Sequence, residues 1–239
     1  QMKQVIIKPF AHNPSIHKYN NKFILFMIGN GNNTHQLNCS KEIQVVQGNN
    51  EIYYSISNNL YNNWSIPKKI NFNMSYDYYT NPAPLIINDT IYLALQTKLG
   101  KEKDMIILTK SIDLNNYNFV AKITKNNPLC LAGMEEDPYL WKSKRGFHLI
   151  SHGMCPSGVF QSRYHYSIDG IKWYQSNKQP YYYLIKLNNG KYKLFDRMER
   201  PKIVFDKNNK IVALSTSVCD DEIRKQKRKT YTIIRKLYN

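Results

Sequence analysis

The sequence predicts an all-β protein with the architecture of a five-bladed β-propeller; a four-bladed ring and a two-sheet β-sandwich are the alternatives. Three observations predict it. Apolar residues fall in short runs with strand character, turn-forming pairs separate those runs, and two short motifs recur about every 56 residues.

The strand runs are FILFMIG (23–29), IYLAL (91–95), MIILTK (105–110), FHLIS (147–151), YYYLIKL (181–187), KYKLF (191–195), KIVAL (210–214) and YTIIRKL (231–237). They are rich in β-branched and aromatic residues, and NN, NG, DG and RG pairs lie between them. No stretch of about 12 residues or more shows helical spacing.

The first motif is a serine turn closed by an aromatic residue. Ser55-Ile56-Ser57 precedes a turn ending at Trp64, Ser111-Ile112-Asp113 one ending at Phe119, and Ser167-Ile168-Asp169-Gly170 one ending at Trp173. The Asp side chain can hold the turn backbone while the aromatic ring packs between sheets. The second motif is a polar residue, then Pro, then an apolar strand: Asn13-Pro14, Asn81-Pro82, Asp137-Pro138 and Arg200-Pro201. Pro suits the start of a strand that needs no ladder donor there. One unit of about four strands cannot bury both faces alone, whereas blades packed around an axis can. Four repeats are clear. The hairpin 181–195 and the terminal strands are candidates for a fifth blade, and the N-terminal QVIIKP (4–9) is a candidate to pair with the last strand. No linker or charge boundary divides the chain, so one domain over 1–239 is expected.

Composition bounds the function classes. The chain has 239 residues, 42% of them hydrophobic, which is enough for a core. Lys and Arg number 34 against 17 Asp and Glu, a net charge of +17. Such charge fits a polyanion partner, but 28 Asn and only 10 Gly point to A+T-biased codons as its main source, as in a protist, a giant virus or an A+T-rich bacterium. The basic run 224–229 reads as a solvated hairpin tip. No run approaches the ~18 apolar residues of a membrane span, and QMKQVIIKPF (1–10) shows no signal-peptide pattern, so either the protein is not secreted or a leader has been removed. An extracellular or virion-associated setting is the expectation, with the oligomeric state open. Cys39, Cys130, Cys155 and Cys219 are widely spaced and form no CxxC pair, and no HxH or HExxH occurs, so neither a metal nor another cofactor is expected. Sequons at Asn32, Asn38, Asn63, Asn73 and Asn88 are no more than an Asn-rich chain produces at random.

In a propeller the segments just before the four prolines meet at one axial mouth. The candidate site residues are therefore His12 and Asn13, Asn81, the acidic triplet Glu135-Glu136-Asp137, and Arg197, Glu199 and Arg200. Crowded carboxyls raise one another's pKa, which keeps a general acid protonated near neutrality. Asp137 with Glu199 is the pair chosen for glycosidic chemistry, with Glu136 beside them. His152, after a predicted inner hairpin, is a further candidate, and His165 is expected to be peripheral. Tyr76, Tyr78 and Tyr79 are candidates to stack on a sugar.

At these segments the sequence resembles the five-bladed propeller glycosidases, the group of arabinanases, β-xylosidases and invertase-like enzymes, and most of all proteins grouped with glycoside hydrolase family 43. The resemblance rests on HNPSIHKYNNKFILFMIG (12–29), NPAPLIINDTIYLAL (81–95), EDPYLWKSKRGFHLISHGM (136–154), YSIDGIKW (166–173) and RMERPKIVF (197–205). It implies an Asp base in the first blade, an Asp that tunes the acid, and a Glu acid. Asp137 matches the second and Glu199 the third. Asn13 stands at the first, and an amide cannot deprotonate water; Glu135 or Glu136 is a substitute. The pattern is also similar to the mannoside phosphorylases through NPAP (81–84) and EDP (136–138). That likeness makes Asp137 the acid and Arg197, Arg200 and His152 candidates for holding phosphate, although Tyr139 replaces the Arg that usually follows. Two further readings compete: a non-catalytic propeller that binds glycans or partners, and a polyanion-binding module.

Overall fold

The computed structural model describes residues 11–30, 50–101, 104–124, 134–154, 160–195, 197–219 and 230–237. Outside them lie Cys39, Cys130, Cys155, the sequons at Asn32 and Asn38, the segment 4–9 and the basic run 224–229. The described residues are strands and turns without a helix, so none is long and apolar enough to cross a membrane. The chain divides into two compact units, residues 1–122 and 123–239.

The first unit holds two sheets. Strands β1 (Ala11–Tyr19), β2 (Lys22–Asn30), β3 (Asn50–Ser57) and β4 (Lys68–Lys69) form an antiparallel sheet in chain order. The second contains β5 (Asn71–Phe72), β6 (Tyr78–Ile87), β7 (Thr90–Lys98), β8 (Met105–Ser111) and β9 (Asn116–Lys122), in the order β5-β9-β8-β7-β6. Only the β5–β9 pair is parallel. β2 reads as an unbroken apolar run because both of its faces are covered. Ile24, Phe26 and Ile28 join Ile52, Leu93, Leu95 and Ile107 in the core, while Leu25 and Met27 pack with Tyr53 and Trp64 on the other side.

The second unit begins with β10 (Met134–Ser143), β11 (Gly146–Met154), β12 (Phe160–Ser167) and β13 (Tyr174–Gln175), again antiparallel in chain order. A two-stranded hairpin follows, β14 (Leu184–Lys186) with β15 (Tyr192–Leu194). The last sheet is β16 (Arg197–Phe205), β17 (Ile211–Cys219) and β18 (Thr230–Lys236). Its core gathers Ile150, Tyr181, Ile185, Phe195, Met198, Leu214 and Val218.

The all-β propeller class is borne out, and these four sheets of the described residues are blades of it. Among the described residues no fifth sheet of three or more strands forms. The hairpin stays two-stranded, and the terminal strands β17 and β18 complete the sheet that β16 begins.

The serine turns form as their chemistry requires. Asp169 Oδ1 accepts from the amides of Ile171 at 2.8 Å and Lys172 at 2.9 Å, and Ser167 Oγ accepts from Gly170 N at 2.8 Å. Gly170 has φ 79°, which a side chain would resist. The fully buried Trp173 donates its indole N–H to Gly170 O at 2.8 Å. The second turn differs from expectation: Phe119 is 47% exposed, and the ring that enters the core is Tyr117. Tyr117 stands six residues after Ser111, as Trp173 does after Ser167, so equal spacing and not the last aromatic marks the packed ring.

Candidate functional site

Each polar-Pro pair sits on a β-bulge of one design. In β1, Asn13 and Pro14 lie between the pairs His12↔Ile28 and Ser15↔Phe26, two residues opposite one. The same slip occurs at Asn81-Pro82 in β6, Asp137-Pro138 in β10 and Arg200-Pro201 in β16. The residue before each Pro is left-handed, with φ 49° at Asn13, 52° at Asn81, 53° at Asp137 and 53° at Arg200. A bulge of this kind breaks the alternation of the strand and re-aims one side chain. Asn and Asp tolerate the conformation, whereas Arg carries its full steric cost. Left-handed backbone at a non-glycine residue is strain of the kind that clusters at functional sites.

In the second unit two of these bulges face each other. The Arg200 amide donates to Asp137 Oδ2 at 3.2 Å. Asp137 is 8% exposed, and burial pushes its carboxyl up to about 6. Glu136 adds to the rise, while Arg200 and His152 pull against it. Glu136 and His152 are cross-strand partners, and His152 Nδ1 lies 3.2 Å from Glu136 Oε1. The His152 side chain is 1% exposed and that of Glu136 28%. Glu199 accepts from Arg197 Nη1 at 3.2 Å across the exposed end of β16. Acidic and imidazole donor atoms of Glu136, His152 and Glu199 lie within 4.8 Å of one another. So Glu136, Asp137, His152, Arg197, Glu199 and Arg200 are brought together from three strands.

In the first unit, Asn13 Nδ2 donates to Asn81 Oδ1, and Asn81 Nδ2 donates to Gln96 Oε1 at 2.7 Å. Asn13 Oδ1 is buried and receives no hydrogen bond from the described residues. His12 pairs with Ile28 through its backbone. Of the three tyrosines, Tyr79 stacks on Phe72 at 4.2 Å and donates to Met74 O at 2.7 Å, and Tyr78 donates to Asp104. Tyr76 meets Tyr79 edge-on at 6.1 Å. The Tyr79 ring is thus engaged within its own sheet.

Glu135 does not join its neighbours. It is wholly buried on the other face of β10, where it accepts from Arg163 at 3.0 Å and from Ser151, with His165 Nε2 at 2.6 Å. Burial would raise its pKa, but His165, Arg163 and Ser151 together bring it down to about 2. A carboxylate enclosed this way is unsuited to replace a missing base. His165, expected at the periphery, is fully buried as part of the same cluster. Sequence reasoning missed Gln96, Tyr181, Tyr183 and Lys202. Tyr181 and Tyr183 donate towards Met198 O at 3.2 and 3.5 Å, and burial raises both phenols. Burial lowers the pKa of Lys202, and the nearby Asp137 opposes that shift. The run YYYLIKL was a signal for the tyrosines; nothing local marked Gln96 or Lys202.

No family model matches the sequence, and a search of curated proteins finds no match. Solved structures do match. An α-L-arabinofuranosidase from Lactobacillus brevis superposes with a TM-score of 0.63 at 9% identity, over 95% of this chain and 72% of that one. The fold is that of the propeller glycosidases. An arabinanase from Bacillus subtilis gives 0.56 at 15% identity over 95% and 72% of the two chains. A GH32 β-fructofuranosidase from Bombyx mori gives 0.60 at 12% identity, covering 97% of this chain and 49% of that one. These likenesses concern architecture; the chemistry must come from the residues above.

Proposed function

We propose that this protein acts on a glycosidic bond, with Asp137 as the proton donor. The observation that carries the reading is the state of Asp137: buried, fixed on a left-handed bulge, and raised to about 6. A carboxyl that titrates near neutrality can give a proton to a leaving oxygen and take one back. Its Oδ2 already accepts from the Arg200 amide, which leaves the other oxygen to bear the proton. Glu199 and Glu136 supply negative charge where an oxocarbenium ion develops. Arg197, Arg200 and His152 bind hydroxyls or phosphate beside them. In the first unit the amides of Asn13 and Asn81 are groups of the kind that hold sugar hydroxyls, and His12 adjoins them.

A second reading has its own observation. Asn13 occupies the first bulge and its amide is tied to Asn81, so this bulge offers no base. A protein that binds carbohydrate without cleaving it, or one that uses phosphate as nucleophile, fits that feature. The test is a panel of aryl-glycosides assayed with and without inorganic phosphate, for the native chain and Asp137→Asn. Turnover that disappears in the variant supports the proposal, and a requirement for phosphate makes the reaction phosphorolysis. Glycan binding that survives in the variant, with no turnover in either protein, establishes the non-catalytic reading instead.

A further inference from the structure

We propose that the outer face of the β14–β15 hairpin docks on an anionic lipid bilayer. This surface goes beyond the glycosidic reading and does not rest on it, because none of its side chains is assigned a part in that chemistry. Alternation along the hairpin sends its residues to two faces. Tyr181, Ile185 and Phe195, at 2%, 5% and 5% exposure, lie in the core of the second unit. On the opposite face Tyr182, Leu184, Tyr192 and Leu194 are 61%, 53%, 67% and 62% exposed. Leu184 and Leu194 are cross-strand partners, and Lys186 pairs with Tyr192 beside them. The four rings and branches therefore form one apolar patch. The hairpin that carries it is well tied: Leu187 N donates to Lys191 O at 2.7 Å, and Phe195 N to Tyr183 O at 3.1 Å. Apolar residues exposed singly are ordinary, whereas four contiguous ones mark a surface that meets a partner.

Charge and residue type select the partner. Residues 170–195 contain five Lys and no Asp or Glu. Lys186 stands on the outer face itself, and Lys191 is exposed at the turn. The leucine pair lies between Tyr182 on one side and Lys186 with Tyr192 on the other. An interfacial segment uses these residues in this way: leucines enter the acyl boundary, phenols sit at headgroup level, and ammonium groups meet lipid phosphates. A second copy of this chain would set lysine against lysine, and four side chains fall short of the ~800 Å² that each partner of a stable complex buries. A nucleic acid or a sulfated glycan would satisfy the lysines but leave the leucine pair without an apolar partner.

The experiment is cosedimentation of the full chain with vesicles of phosphatidylcholine containing about 30% phosphatidylserine, at about 0.1 M salt. Binding that weakens with added salt, and is slight on phosphatidylcholine alone, is expected. Leu184→Ser combined with Leu194→Ser leaves the charge unchanged and should lower the partition coefficient about tenfold or more. Lys186→Gln and Lys191→Gln should each lower it about fivefold. Ile112→Ser, at an isoleucine of the first unit that is 77% exposed, should leave it unchanged. Leu184→Trp should shift its emission to the blue on vesicles and be quenched by brominated lipid. All of these side chains are exposed, and circular dichroism checks that each variant is folded. Absence of vesicle binding, or no emission shift in Leu184→Trp, would overturn the proposal. Equal binding by the double serine variant would do so too, since the net charge of +17 would then suffice. Binding of heparin or single-stranded RNA in place of vesicles would assign the surface to a polyanion, and a dimer abolished by the serine pair would assign it to a second copy; either result overturns the lipid assignment. None of these readouts depends on turnover, so the surface can fail while Asp137 catalysis stands, and the reverse.

Discussion

Asp137 combines two features that a strand carboxylate ordinarily avoids, a left-handed backbone and burial. Its ordinary pKa of 3.8 rises to about 6 in the folded chain. Between these values the native state binds more protons than the unfolded one, so stability falls as the pH rises from about 4 to 6. The ionised form then weighs against folding by at most about 3 kcal/mol at pH 7. Asn fits the same bulge at positions 13 and 81, so Asp137→Asn should fold. Its Tm should exceed that of the native protein at pH 7 and converge with it at pH 4; equal values at pH 7 would remove the buried-carboxyl assignment. Arg200 is a second strained residue, with an exposed side chain at φ 53°. Arg200→Gly relieves a left-handed backbone and should stabilise the fold by about 1 kcal/mol, read from urea midpoints. It should also weaken the binding of an anionic ligand if Arg200 holds one.

At the scale of an element, β10 shows how one strand serves two ends. Glu135 and Glu136 are neighbours in sequence but point to opposite faces, as strand alternation requires. Glu135 enters a closed polar cluster with Arg163, His165 and Ser151, and Glu136 faces His152. Removing the Glu135 charge leaves the Arg163 guanidinium buried without its carboxylate. Glu135→Gln should therefore cost about 3–5 kcal/mol in equilibrium unfolding. Gly153 packs against the same cluster: a Cβ there would lie 2.8 Å from Arg163 Nε and 3.0 Å from its Cζ, so the buried guanidinium would have to move. The sequence grouped Glu135 and Glu136 as one acidic triplet, and only the strand β10 through both residues separates them by alternation. The ion-pair partners of Glu135 were not legible either, because Arg163 and His165 come from β12 and meet Glu135 only through the register of three strands.

For the whole molecule, apolar β-branched runs place the core where the strands are. Leu93 is completely buried among Ile24, Phe26 and Ile107-type neighbours of the first unit's core. Leu93→Ala should destabilise by about 3 kcal/mol, lowering the urea midpoint without changing the slope. The expectation of one domain over 1–239 is checked by calorimetry. A single transition whose calorimetric and van't Hoff enthalpies agree supports it, and two separate transitions would make the compact units independent domains.

Strand content, the polar-Pro repeat and the serine turns follow from residues close together in the chain. β-branched runs, proline's missing donor and the reach of an Asp side chain to the next amides are local physics. The left-handed bulges before those prolines were not read from the sequence, although Asn or Asp stands at three of the four. Tertiary structure decided the rest: that Glu135 is locked away while Glu136 stands beside His152, that Tyr117 and not Phe119 fills the core, and that the hairpin 184–194 stays two-stranded. Each of these depends on which strands pair and in what register. Pairing across tens of residues is set by the burial of whole faces, which no local spacing records.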